Sequence, residues 1–109
     1  MASGTDRMMM AKALRVLADE ARSRRAGLPF ESSERQFYLG VEAATAAVLH
    51  PEAQDAKPMD WLDREPTAFR NGYLSTTAEI AAVTSGPAVP VRLRLPVPAR
   101  LPPGASGGT

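Results

Sequence analysis

The residues that could carry out chemistry include the only histidine, His50, which is followed by Glu52 and Asp55. An imidazole and two carboxylates are possible metal ligands. A catalytic zinc site, however, normally combines three protein ligands with supporting hydrogen bonds, and one histidine beside two loop carboxylates does not make such a set. We interpret His50 instead as a cation near the negative end of a helix.

The hydroxyl side chains of "LSTTAEI" are candidate nucleophiles. Ser75, Thr76 and Thr77 have no general base near them in the sequence, and a hydroxyl nucleophile needs one. Hydroxyls in the middle of a helix more often bond back to the preceding turn. The glycines of "PPGASGGT" precede no helix and therefore do not form a phosphate-binding loop. We predict a non-enzymatic protein with no catalytic residue, no metal site and no cofactor.

The stretch "VPVRLRLPVP", residues 89–98, alternates apolar residues with proline and arginine. In extended backbone the odd-numbered side chains share one face, and the prolines at even positions remove N–H donors from one edge only. Such a strand can pair along its other edge, and the chain offers no second strand. We therefore predict that it pairs with another chain, either a second copy or a different subunit. The predicted partner-binding residues are Val89, Val91, Leu93, Leu95 and Val97.

Two other interpretations of this stretch stay open. The arm could lie on the helices of its own chain, or it could be a proline-rich disordered tail. A polyproline ligand is compatible with "PAVPVR", but polyproline has threefold symmetry and does not explain a twofold alternation.

The charge of the chain is unevenly distributed. Residues 1–30 carry a net charge of +3, residues 31–85 carry −5 and residues 86–109 carry +3. Nucleic-acid binding by a small transcriptional regulator is therefore the alternative function, with its contacts at the two ends of the chain, because the acidic middle would repel phosphate. The residues predicted for it are Arg15, Arg22, Arg24, Arg25, Arg92 and Arg94.

Three helices are needed to position these residues. The first is expected from about Asp6 to Arg25, with Met10, Leu14, Leu17 and Ala21 on one face. The second is expected to start at a capping box formed by Ser33 and Gln36 and to end at His50. Because it is apolar nearly all round, we place it at the centre, and its Gly40, Ala43, Ala44 and Ala47 would let a neighbouring backbone approach closely.

The third helix is expected to begin at Pro66 and to end near Ser85. Ala68 and Gly72 have the spacing of small residues in a helix-turn-helix, but the apolar stripe continues in phase through Gly72. The segment "TTAEIAAV" also lacks the arginine or lysine that groove-reading helices use. We therefore favour one continuous helix.

The fold predicted from these elements is all-α: a small antiparallel three-helix bundle with an extended, Pro/Arg-rich C-terminal arm. Residues 1–86 would form the bundle and residues 87–109 the arm, flexible at its end. The 109 residues allow one modest core, and the absence of cysteine excludes disulfides.

With no apolar run of membrane-spanning length, we expect a cytoplasmic protein, and its arginine and alanine content is typical of a bacterial or phage source. A core rich in alanine and threonine favours a homo-oligomer or a subunit of a larger assembly.

Overall fold

The computed structural model describes residues 4–55, 57–85 and 93–98. Within them the chain forms helix α1 (Gly4–Ala26), helix α2 (Ser33–Leu49), the short helix α3 (Pro51–Asp55), a 3-10 turn (Trp61–Arg64) and helix α4 (Thr67–Ser85). The predicted all-α class is confirmed, with α1, α2 and α4 packed as a bundle. The continuous third helix is also confirmed, since α4 passes through Gly72 without a break.

The start of α2 differs by one residue from the prediction. Ser32, not Ser33, is the N-cap, and its hydroxyl accepts a hydrogen bond from the Arg35 backbone N–H at 3.0 Å. The capping pair of Ser33 and Gln36 is therefore wrong, because two consecutive serines make the position ambiguous in the sequence. The end is as expected, with His50 as the C-cap.

Helix α2 lies between α1 and α4, which make little direct contact with each other in the described part of the chain. At the contact between α2 and α4, the backbone atoms of the two helices approach each other directly. A Cβ atom on Gly40 would lie 2.9 Å from the Tyr73 backbone nitrogen and closer still to the Phe69 carbonyl oxygen. A Cβ on Gly72 would lie 2.9 Å from the Phe37 carbonyl carbon. Only glycine at both positions permits this approach.

The second halves of the two helices, from Ala44 to Val48 in α2 and from Tyr73 to Thr84 in α4, line one groove. In the segment that connects the helices, Trp61 packs edge-on against Tyr73, with ring centroids 5.2 Å apart.

Helix α1 packs on α2 through an apolar face and an ion pair. Leu14, Leu17 and Ala21 are buried. At the edge of this contact, Arg25 binds the Glu42 carboxylate through two guanidinium nitrogens, and Arg22 Nε lies 3.8 Å from the same carboxylate. The hydrogen bond to Glu42 raises the pKa of Arg25, so the guanidinium stays charged.

Two threonines are completely buried and differ in their hydrogen bonding. The Thr45 hydroxyl donates to the Glu42 carbonyl oxygen at 2.7 Å. The Thr76 hydroxyl has no hydrogen-bond partner among the described residues. A buried polar group without a partner costs free energy that an apolar group of the same shape does not.

We expect Gly40→Ala to lower the free energy of unfolding by about 3 kcal/mol, because the added methyl meets backbone atoms that cannot move aside. Gly27→Ala is the control, since nothing lies within 4 Å of its Cβ position, and it should change stability by no more than about 0.5 kcal/mol. Urea unfolding followed by circular dichroism measures both. Equal stability of the two variants would contradict the close backbone contact.

We expect Thr76→Val to raise the free energy of unfolding by about 1 kcal/mol, because it removes an unpaired buried hydroxyl while keeping the shape of the side chain. Thr45→Val, at a site equally buried, should not stabilise the protein, because it removes a hydroxyl that is hydrogen-bonded. Thermal unfolding of the two variants beside the parent chain is the measurement. A stabilising effect of the same size in both would show that hydrogen bonding does not distinguish them.

Candidate partner-binding site

The site is formed where residues 93–98 of the arm lie against the bundle. Leu93 and Leu95 are partly buried and pack against the core cluster contributed by α1 and α2, as do Leu28 and, in α4, Ala68. The cluster consists of Leu17, Ala21, Phe37, Tyr38 and Val41. These residues, together with Ala68 and Glu79 of α4, are called the arm-binding face below.

In the part of the arm that the structure describes, residues 93–98, one polar contact to α4 is present. The Arg94 backbone N–H donates to Glu79 Oε2 at 2.9 Å. Glu79 and Ala68 lie on the same side of α4, next to the face that carries Gly72 and Thr76 toward α2. A carboxylate that accepts a backbone N–H recognises extended main chain of any sequence, while the leucines supply the apolar contact.

The structure agrees with one of the interpretations that the sequence left open, since the described part of the arm lies on its own bundle. Residues 93–98 form no strand. The N–H that is used, at Arg94, belongs to the edge that carries the prolines, and not to the edge predicted for pairing. Val97 is 67% exposed. Val89, Val91 and Arg92 lie outside the described residues.

Glu79 was not among the residues predicted from the sequence. The feature of the sequence that points to Glu79 is its isolation. It is the only acidic residue in α4, a helix with one arginine and otherwise uncharged side chains. A lone carboxylate on such a helix indicates a specific contact. Glu42 of α2 carries a similar signal, since it is the acidic residue in the interior of a nearly apolar helix.

The arginines predicted for nucleic-acid binding are divided by the structure. Arg15, Arg22, Arg24 and Arg94 have exposed side chains, although Arg22 lies 3.8 Å from both Asp19 and Glu42. Arg25 is bound to Glu42 through two guanidinium nitrogens. A guanidinium held by a carboxylate is a poorer phosphate ligand, so Arg25 is removed from the predicted basic surface.

A second apolar feature lies on the other side of α4. The second halves of α2 and α4 leave an open groove of about 420 Å³ between them. Small and apolar side chains line it: Ala44, Ala47, Val48, Tyr73, Thr77, Ile80, Ala81 and Thr84. Its polar groups are the Tyr73 phenol and the hydroxyls of Thr77 and Thr84, and the Thr77 hydroxyl bonds back to the Tyr73 carbonyl oxygen at 2.9 Å.

The candidate catalytic and metal-binding residues are dispersed. His50 is exposed at the end of α2, where its backbone N–H donates to Ala46. In the ranges that the structure describes, no three His, Asp or Glu side chains come together as a metal ion would require. No helix of those ranges is long and apolar enough to cross a lipid bilayer.

No protein-family model, curated protein or solved structure matches the chain.

Burial in the groove raises the pKa of the Tyr73 phenol above its ordinary value of 10.0. Above pH 10 the unfolded chain therefore loses this proton before the folded chain does, and stability falls as the pH rises toward the folded pKa. Below pH 10 both states keep the proton and the effect is absent. We expect the stability of Tyr73→Phe, measured by urea unfolding between about pH 9 and 11, to fall less steeply than that of the parent. Parallel curves would contradict a buried phenol.

Proposed function

We propose that this is a non-enzymatic protein–protein interaction or assembly protein whose C-terminal arm pairs with another chain. The observation that supports this proposal is the arm-binding face, which holds the described residues 93–98 of the arm by two leucines and one main-chain hydrogen bond. Recognition of an extended segment through its backbone and alternate side chains is a common mode of peptide binding.

Binding of the arm shields apolar side chains of the arm-binding face from water. Because α1 and α4 both pack on α2 and make little contact with each other, apolar side chains of α1 and α2 between them need a cover. Leu93 and Leu95 provide that cover. An extended segment of similar chemistry from another chain would cover the same side chains equally well.

The contact is also small enough to be released. Leu93 and Leu95 are only partly buried, and Arg94 is exposed apart from its backbone N–H. Segments with few buried apolar contacts open at low free-energy cost compared with global unfolding. An arm that leaves its own bundle is then available to a second chain.

Nucleic-acid binding is the alternative, and four exposed arginines, Arg15, Arg22, Arg24 and Arg94, are the observation in its favour. Salt separates the two functions, because phosphate contacts weaken steeply as salt rises whereas an apolar contact does not.

A cytoplasmic location is part of the proposal. It is compatible with a chain without cysteine, since reduced compartments need no disulfides.

We expect the full-length double variant Leu93→Asp/Leu95→Asp to release its arm and bind a labelled peptide of sequence VPVRLRLPVP more tightly than the parent chain does. Its own arm no longer competes, and the helix contacts that hold the bundle are unchanged. Fluorescence anisotropy at low and high salt measures the affinity, which should change less than about threefold between them.

Val97→Asp is the control for added charge, because it places one aspartate on the arm at an exposed position. That protein should bind the peptide no better than the parent. A peptide carrying the two leucine-to-aspartate changes should not bind. If the double variant keeps its helical spectrum and binds no peptide, the face does not accept an arm supplied by another molecule and the proposal is wrong. Loss of binding at high salt would favour the electrostatic alternative.

A further inference from the structure

We propose that the other chain is a second copy of this protein, and that two copies exchange their arms. Residues 93–98 of one copy would lie on the arm-binding face of the other, and the reverse. This inference rests on the proposed function and names the partner of the same site. The exchange gives a closed dimer with twofold symmetry, in which each copy donates one arm and receives one.

The contacts of the exchanged arm are those already present within one chain. Leu93 and Leu95 would meet the same apolar cluster, and the Arg94 N–H would meet the same carboxylate of Glu79 in the second copy. No new complementary surface is required. The contacts with the face are the same in both forms, so the fraction of exchanged dimer rises with protein concentration.

Charge complementarity supports a second copy as the recipient. Residues 86–109 carry a net charge of +3 and no acidic side chain, whereas residues 31–85, which include α2 and α4, carry −5. The arm of one copy is therefore attracted to the helices of another at long range. Attraction of this kind speeds the encounter, while the leucines determine where the arm binds.

The absence of cysteine makes a direct test possible, because single cysteines can be introduced without background. One full-length chain carries Glu79→Cys and another carries Arg94→Cys. The two are mixed, incubated to allow re-association, and treated with a short bis-maleimide cross-linker. Exchange predicts a cross-linked product of one chain of each kind, in a yield that rises with protein concentration and exceeds that of either chain alone.

Two controls define the result. A mixture of Glu52→Cys with Arg94→Cys replaces a different exposed carboxylate, and it should give only the low yield of random collisions. A single chain with both Glu79→Cys and Arg94→Cys reports binding of the arm within its own chain, as an internal cross-link that is independent of concentration.

Each outcome decides the question. A heterologous product well above the Glu52 control supports exchange. Internal cross-linking of the double variant without a product in the mixture overturns exchange but leaves the proposed function intact, provided that the peptide binds the arm-released variant. A product equal to the Glu52 control, or no cross-link in any sample, also overturns exchange, because residue 94 is then not held beside residue 79 of a second copy.

Discussion

The backbone contact between α2 and α4 is the constraint on which the rest of the structure depends. Because Gly40 and Gly72 present no side chain, each helix backbone rests on the carbonyl groups of the other. Such close approach brings Cα–H groups against carbonyl oxygens and replaces much of the side-chain packing that a larger core would supply. It also fixes where each side of α4 faces, with the arm-binding face on one side and the open groove on the other.

The two sides of α2 are stabilised by different physical interactions. Toward α4 the contact is steric and tolerates no added atoms. Toward α1 it combines buried leucines with the carboxylate of Glu42, which receives Arg25 and lies near Arg22. The first contact depends on shape and the second on charge, so changes of ionic strength act mainly on the second. The arm-binding face spans both, because its residues come from α1, α2 and α4.

Much of the fold could be predicted from the sequence, because apolar spacing specifies helices. The three long helices, the central place of α2, its termination at His50 and the continuity of α4 through Gly72 all followed from periodicity and from glycine and proline positions. The arm shows the limit of such prediction: alternation indicates an extended segment, but only the fold reveals that Glu79 of α4 lies beside Arg94.

The order of the elements along the chain has a consequence for biosynthesis. Translation produces α1, α2 and α4 before residues 93–98, and domains begin to fold from their N-terminal parts while synthesis continues. The apolar side chains that Leu93 and Leu95 cover in the folded chain are therefore exposed until residues 93–98 have left the ribosome.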